Sequence, residues 1–372
     1  MNYSLQIASV LLAAATLSAQ TPVLTVPPSG NNQKASVTQF IGPVKITVNY
    51  SSPSVRDRRG KIWGTLVPYG LTPQGTGVSK NVPWRAGANE NTTFSASEPV
   101  TIEGKPLAAG TYGLHMIPGQ DEWTIIFSKN ANAWGSFFYD ESEDALRVNV
   151  KPHKHEYREW LTYEFPVRKP DEAMVELQWE ELAVPFTIKA NVNGSYMTHL
   201  RRELTNLQGF DYRSYMAAAQ FCVQANTDLE QGMKWAEAAI SMPGVGQANF
   251  DTLSTKAQVL SKLGKESEAK AAMTLALNQP GTTPLQIHTY GRQLLAAHKN
   301  AEAMEIFKLN AQRNGDAWPV HVGLARGYSA QGDLQKALEH AKKALPQAPD
   351  DLNRNSLDSM IKTLSAGTAI NN

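Results

Sequence analysis

The chain has 372 residues, of which 42% are hydrophobic and 19% are charged, and its formal net charge is +1. This is the composition of a globular protein and not of a disordered one, and the length allows two domains with separate cores. Because a net charge near zero gives no overall field to attract an anionic polymer, we predict no nucleic-acid partner.

The N-terminal stretch MNYSLQIASVLLAAATLSAQ is apolar and carries no charged side chain. Its apolar core is too short to span a bilayer, and it ends in the small residues Ser18 and Ala19. We therefore predict a signal peptide over residues 1–19, an exported protein that is periplasmic or extracellular, and no membrane anchor. The alternative is a buried N-terminal helix. Residues 20–43, rich in Pro, Ser, Asn, Gln and Thr, are predicted to be a flexible leader.

From Val44 the apolar residues have a period of two. In VKITVNY they alternate with polar residues from Val44 to Tyr50, as expected for a half-buried strand. Further short runs, separated by turn sequences such as IPGQDEW and VRKPDE, continue to about residue 193. Many short strands without a helix-length run between them predict an antiparallel β-sandwich-like domain over residues 44–193.

After that point the period becomes helical and the sequence repeats. The segments GKESEAKAAMTLAL, KNAEAMEIFKLNA and GDLQKALEHAKKAL place Ala269, Ala303 and Ala337 at equivalent positions, 34 residues apart, and an earlier copy has Gly232 there. The spacing resembles that of tetratricopeptide repeats, over about residues 211–349. It predicts an α-α solenoid over residues 194–372 with a closing helix. The single cysteine, Cys222, lies in an apolar helical pattern and is predicted to be a core residue.

Several pieces of the β part resemble a bacterial family known as domain of unknown function 2911. They are VNYSSPSVRDR, KIWGTLVPYG, WRAGANENTTF, IEGKPLAAGTYGLHMIPGQDEWTIIFSKNANAWGSF and ALRVNVKP, which together cover about residues 44–190. The sequence departs from the family in the extra residues between VPYG and WRAGAN, which predict a longer loop from Leu71 to Val82. The family implies no activity, so the functional predictions rest on the residues themselves.

The segment VPWRAGANENTTF concentrates hydrogen-bonding groups beside a tryptophan. Arg85 offers a planar fork for a carboxylate or phosphate, Asn89 an amide, Glu90 an acid that orients Arg85, and Trp84 an apolar wall. Arg56, from SPSVRDR, is a second donor. We predict a polar or anionic ligand site at these five residues, covered by the Leu71–Val82 loop. The alternative is a structural latch in which Arg85 pairs with Glu90 or Asp57.

The sequence contains no convincing catalytic or metal motif. His153 and His155 are two residues apart and would share one face of a strand, and His115 could be a third ligand, but Lys151 and Lys154 beside them disfavour a cation. We predict no metal and no cofactor. No nucleophile motif or acid pair is recognisable either, which leaves open whether the protein is an enzyme.

Two functional hypotheses follow. The first is an exported binding and scaffolding protein, whose β domain binds a polar or anionic ligand or a cell-surface component. Its helical repeats would bind a segment of a protein partner in their concave face. The second is an exported hydrolase-like enzyme with its active site around Arg85 to Glu90, using Glu90 or a histidine.

Overall fold

A computed structural model describes residues 32–73 and 79–370 of the chain. The predicted signal peptide and the first part of the predicted leader lie outside the described residues. The chain divides into two compact units between Ser195 and Tyr196, and we refer to them as the β unit and the helical unit. Among the described residues, no helix combines the length and apolar character needed to cross a membrane.

The described part of the β unit is built from twelve strands. They are β1 (Gln33–Ile41), β2 (Val44–Ser52), β3 (Thr72–Pro73), β4 (Asn81–Val82), β5 (Thr92–Ala96), β6 (Val100–Ile102), β7 (Lys105–Leu107), β8 (Gly110–Ile117), β9 (Trp123–Ser128), β10 (Asp144–Val150), β11 (His153–Arg168) and β12 (Glu172–Ala190). One sheet has the order β1-β2-β5-β8-β9-β10 and the other the order β11-β12-β6-β7, while β3 and β4 form a separate ribbon. The strands pair antiparallel throughout.

The core of the β unit lies between the two larger sheets. Phe186 of β12 in the second sheet contacts Phe94 of β5 and Phe127 of β9 in the first, with ring centroids 6.1 and 5.8 Å apart. All three rings are completely buried. Along β2 the predicted alternation is present, since Val44, Ile46, Val48 and Tyr50 are buried. The predicted antiparallel, sandwich-like fold class is therefore confirmed.

The predicted flexible leader over residues 20–43 is wrong in its second half. Residues 33–41 form β1, which pairs with β2 from Gln33 opposite Ser52 to Ile41 opposite Val44. Gly42, with a φ of 57°, supplies the positive φ that the tight turn between the strands requires. The side chains of β1 alternate between exposed and half-buried, with Ala35 and Val37 packed against the core, so its hydrophobic alternation is present but weak.

The helical unit follows, and its first helix begins just before the division between the units. The helices are α1 (Val192–Glu203), α2 (Tyr212–Ala225), α3 (Leu229–Ser241), α4 (Phe250–Lys262), α5 (Glu266–Leu277), α6 (Pro284–Ala296), α7 (Asn300–Asn314), α8 (Trp318–Ala330), α9 (Leu334–Ala344) and α10 (Asp351–Ser365). Four successive pairs, α2 with α3 through α8 with α9, pack together, and α10 packs on α9 as a closing helix. The predicted order of β domain and helical solenoid is confirmed.

Small residues allow the paired helices to approach closely. Gly232, Ala269, Ala303 and Ala337 each lie at the fourth position of the second helix of a pair, and all four are buried. A Cβ added to Gly232 would lie 2.8 Å from the Cβ of Cys222. Cys222 itself is buried, and burial raises the pKa of its thiol to about 11, as expected for a core residue and not for a nucleophile.

Candidate functional site

The segment VPWRAGANENTTF begins with a bridge to the first sheet and turns sharply. The N–H of Trp84 donates to the carbonyl of Met116 in β8, and the N–H of Met116 donates back, both at 2.8 Å. The carbonyl of Ala86 accepts hydrogen bonds from the hydroxyls of Thr92, at 3.1 Å, and Tyr163, at 2.9 Å. These bonds hold the backbone around Arg85 in a fixed path.

Two residues of this turn, one of them the predicted site residue Asn89, have an unusual backbone conformation. Ala86 has a φ of 51° and Asn89 a φ of 55°, in the left-handed region. A buried alanine there is a strained residue that its surroundings must hold in place. Gly87, the glycine of this turn, has no such φ. A Cβ at Gly87 would lie 2.6 Å from the Thr92 hydroxyl, so this glycine is needed for close packing.

Arg85 is half-buried and is held by neutral groups. Its Nη1 donates to the carbonyl of Asn89 at 2.8 Å, and its guanidinium lies over the ring of Phe137, 5.0 Å from the centroid. The loop between β9 and β10 passes close to Arg85 at Gly135. A Cβ on this residue would lie 2.5 Å from Nη1 of Arg85, so a glycine is needed there. No carboxylate of the described residues forms an ion pair with Arg85, and burial lowers the pKa of its guanidinium.

Glu90 does not hold Arg85, contrary to the predicted arrangement. Its carboxylate pairs with Lys34 at 2.8 Å and accepts a hydrogen bond from Ser51 at 3.1 Å. Lys34 lowers the pKa of Glu90. Lys34 belongs to β1, the strand that the sequence was expected to leave as leader, so this partner was not foreseen. Both the predicted orienting role of Glu90 and an Arg85–Glu90 latch require a contact between these two side chains. The structure pairs each of them with other residues, so both predictions are wrong.

Asn89 contributes its backbone to Arg85 and its side chain elsewhere. Its side-chain oxygen accepts a hydrogen bond from Asn32 at 3.2 Å. The residue acts here as a support for Arg85, through its carbonyl, and it does not line the cavity described next.

Arg56 and Arg58 converge on the same region from the short 3-10 helix that follows β2. Nε of Arg56 donates to the Ser54 hydroxyl at 3.2 Å. Arg58 donates from Nε to the carbonyl of Val55 at 3.0 Å and from Nη2 to the carbonyl of Ser54 at 2.5 Å. Like Arg85, Arg58 is thus positioned by neutral oxygens.

These residues line a cavity of about 470 Å³, which we call the arginine cavity. Its described lining consists of three arginines (Arg56, Arg58, Arg85), three polar residues (Asn32, Thr72, Ser136), eight apolar or aromatic residues (Pro53, Leu66, Val67, Pro68, Val82, Pro83, Trp84, Trp179) and the backbone at Gly87 and Ala88. None of these residues is acidic. Of the five predicted site residues, the structure brings Arg56, Trp84 and Arg85 to this cavity. Glu90 lines a separate cavity of about 370 Å³ with Lys34 and Ser51.

The sequence prediction missed Arg58, Ser136 and Trp179. Arg58 stands two residues after Arg56 in SPSVRDR, so the charge cluster in that turn was a usable signal. Ser136 lies in the loop between β9 and β10, and Trp179 lies in β12 of the other sheet. Neither position is near Arg85 in sequence, so only folding brings them to the cavity. Of the predicted covering loop, residues 74–78 lie outside the described residues, while Thr72 and Val82 at its ends line the cavity.

The three histidines considered as metal ligands have different surroundings. His115 is buried, and its Nδ1 lies 2.9 Å from the hydroxyl of Ser136. Burial, together with the nearby charge of Arg85, lowers the pKa of His115 to about 4. His153 lies 3.3 Å from a carboxylate oxygen of Glu176, and Nδ1 of His155 lies 2.7 Å from the carbonyl of Glu156. Within residues 32–73 and 79–370, no group of three or more His, Cys, Asp or Glu side chains is arranged to hold a metal ion.

Comparison with known families identifies the β part. Residues 32–188 match the family described as "Protein of unknown function (DUF2911)". The match begins at Asn32, twelve residues earlier than the resemblance in the sequence suggested, and it includes β1. A search of curated proteins gives no match.

Solved structures resemble the chain at low sequence identity. A thermophilic TPR protein of Thermus thermophilus is 17% identical, with a TM-score of 0.32. The match covers 46% of this chain and 91% of the Thermus chain. YrrB, described as a TPR protein with an unusual peptide-binding site, is 18% identical over 45% of this chain and 84% of its own, with a TM-score of 0.29. A tetratricopeptide repeat protein from Parabacteroides merdae is 15% identical over 47% and 68%, with a TM-score of 0.31.

The helical unit shows the repeat in its own sequence and structure. Ala269, Ala303 and Ala337 recur 34 residues apart at the same position of successive helix pairs. Together with the family match, this defines both parts of the molecule. Residues 32–188 match the DUF2911 family model, and the helices that follow have the pattern of tetratricopeptide-like repeats.

Proposed function

We propose that this is an exported binding and scaffolding protein. The β unit binds a polar or anionic ligand in the arginine cavity, and the helical repeats bind a segment of a partner protein. The observation that carries the ligand proposal is the composition of the cavity, where three arginines meet and no described lining residue is acidic.

Electrostatics favours an anion at this position. A half-buried guanidinium loses hydration, and Arg85 recovers only one hydrogen bond to a carbonyl and a contact with an aromatic ring. A carboxylate or phosphate group would supply the missing countercharge through charge-assisted hydrogen bonds, which are stronger than neutral ones. Because the Asn89 carbonyl and Phe137 already hold Arg85, little side-chain entropy is lost when an anion binds.

The test is thermal shift with a panel of small carboxylates and phosphates on the full chain and on Arg85→Gln, which removes the charge and keeps the side-chain length. An anion at 100 times its Kd should stabilise the β unit by about 2.7 kcal/mol in the original chain. Arg85→Gln should lose most of this stabilisation.

The matched control is Arg168→Gln, which removes the same charge from an exposed position of β11 that does not line the cavity. It should keep the stabilisation in full. The cavity is not an anion site if no anion of the panel raises the melting temperature of the original chain. The same holds if Arg168→Gln loses as much of the stabilisation as Arg85→Gln does.

The partner proposal rests on the arrangement of the helix pairs. Two contacts join the first helices of successive pairs, α2 with α4 and α6 with α8. Because stacked helix pairs form an extended concave binding surface, we propose that the first helices line it. On α6 a cavity of about 320 Å³ is lined by Thr289, Arg292 and Gln293, together with Leu295 and Ala296.

A photo-crosslinking residue at Arg292 in α6 should capture the partner when the chain is expressed in its native host. The control position is Lys270 in α5, which is also exposed but lies on a second helix. Crosslinked species from position 292 alone support the proposal. Equal yields from both positions, or none from either, would contradict a partner site on the first helices.

The hydrolase alternative loses its predicted centre, because Arg85 and Glu90 line different cavities. The hydroxyl of Ser136, which lines the arginine cavity, does lie 2.9 Å from Nδ1 of the buried His115. An imidazole whose pKa is lowered to about 4 is a weak base at neutral pH. We therefore propose binding as the function of this cavity.

Export rests on the N-terminal sequence. N-terminal sequencing of the protein recovered from its native host should give a first residue near Gln20. Recovery of a cytoplasmic chain that still begins with Met1 would contradict export and would leave the ligand proposal untouched.

A further inference from the structure

The lining of the arginine cavity combines two kinds of chemistry. It includes three arginines with the polar residues Thr72 and Ser136, and it also includes proline, leucine, valine and tryptophan residues. A small inorganic anion would use only the charged and polar part of this lining. At about 470 Å³ the cavity has the volume of a site for a small organic molecule, for which the usual range is about 300–1,000 Å³.

The two tryptophans that line the cavity, Trp84 and Trp179, belong to a cluster of four tryptophan rings. Trp84 and Trp179 are stacked, with centroids 6.3 Å apart and an interplanar angle of 12°. Trp63 lies edge-on to both, at 5.8 and 5.6 Å, and Trp123 lies 5.2 Å from Trp63. Rings locked together in this way form a rigid apolar surface, so the wall does not have to be ordered when a ligand arrives.

We infer that the ligand of the arginine cavity is an organic anion with an apolar or aromatic body. Its carboxylate or phosphate head binds Arg85, Arg56 and Arg58, and its body lies against Leu66 and Trp84. This inference rests on the proposed anion-binding function and adds the chemical class of the ligand.

The experiment compares four probes by isothermal titration calorimetry on the full chain. Acetate and benzoate share a carboxylate, and inorganic phosphate and phenyl phosphate share a phosphate, so each pair differs in the ring. We expect each aromatic anion to bind about tenfold or more tightly than its partner without a ring, because the ring removes apolar surface from water.

Two leucines provide a matched pair of variants. Leu66 lines the cavity and is 45% exposed, and Leu71 does not line it and is 46% exposed. Leu66→Asn should reduce the advantage of the aromatic probes severalfold, whereas Leu71→Asn should leave it unchanged. Arg85→Gln should weaken all four probes.

The outcomes separate this inference from the proposed function. If the probes bind in an Arg85-dependent manner but the ring gives no advantage, or if Leu71→Asn reduces that advantage as much as Leu66→Asn, the organic-anion inference is wrong and anion binding stands. If none of the four probes binds in an Arg85-dependent manner, both are wrong.

Discussion

The β unit and the helical unit bury their apolar residues in different ways. In the β unit one large hydrophobic cluster joins residues from both sheets and reaches from Ile41 to Ala190, and a small second cluster contains Val82, Ile126 and Tyr139. In the helical unit four smaller clusters lie one after another, each formed by neighbouring helices. The strands of the β unit therefore depend on partners far away in sequence, while each helix pair depends mainly on the next pair. A core substitution should therefore destabilise the whole β unit, whereas in the helical unit its effect should stay within neighbouring helix pairs.

The largest effect is expected for Phe94→Ala in the β unit. Phe94 is completely buried and touches Phe127 of its own sheet and Phe186 of the other. Its removal should cost about 3–5 kcal/mol of the free energy of unfolding, as other large-to-small core substitutions do. Hydrogen exchange should accelerate in both sheets. Acceleration confined to β5 would contradict a single continuous core.

Acid should destabilise both units through one buried histidine each. Burial and nearby arginines lower the pKa to about 4 for His115 in the β unit and for His288 in α6. Above the ordinary pKa of about 6.5 neither the folded nor the unfolded state binds the proton, so nothing changes there. Between about pH 6.5 and 4 the unfolded state binds it and the folded state does not, so stability falls as pH falls. The loss should reach about 3 kcal/mol per histidine near pH 4.

Denaturant unfolding as a function of pH measures this effect. His115→Gln should weaken the pH dependence of the stability of the β unit only, and His288→Gln that of the helical unit only. Hydrogen exchange in β8 and in α6 reports the stability of each unit separately. A variant whose pH dependence equals that of the original chain would show that the histidine replaced is not the titrating group.

A moderate and local effect is expected for Ala337→Trp in the helical unit. Ala337 is completely buried in α9, within the cluster that α8, α9 and α10 share. A bulky ring there should cost about 1–3 kcal/mol or more, because the paired helices cannot approach as closely. Hydrogen exchange should accelerate in these three helices. Exposed Lys336→Trp is the control and should change little; an equal loss from both variants would mean that the small residue has no packing role.

The smallest effect is expected for the coupling between Arg85 and Glu90. Because these residues have separate partners, the unfolding energies of Arg85→Ala and Glu90→Ala should add to within about 0.5 kcal/mol in the double variant. The positive comparison is Glu90 with Lys34, whose partly exposed pair should show a coupling of about 0.2–1 kcal/mol. A strong Arg85–Glu90 coupling would restore the latch that the sequence suggested.

The contrast between the two units explains which features could be predicted. The helix pairs were predicted correctly because their spacing is set by contacts between near neighbours. Ala269, Ala303 and Ala337 mark these contacts 34 residues apart, and Gly232 lies at the equivalent position of the first pair. In the β unit, β2 could be recognised from its alternation. β1 was missed because its alternation is weak: Ala35, Val37 and Ile41 lie on the inner side among mostly polar residues, and the polar composition favoured a leader.

For the candidate site, the amino-acid sequence was sufficient to single out Arg56, Trp84 and Arg85, since charge and aromatic surface stand together in two turn-rich segments. The partners of these residues are set by the folded chain. Glu90 pairs with Lys34 because β1 pairs with β2, and Trp179 and Ser136 reach Arg85 because antiparallel sheets bring distant segments side by side. Residue chemistry is local and can be read in the chain, whereas the pairing of strands is non-local and depends on the whole core.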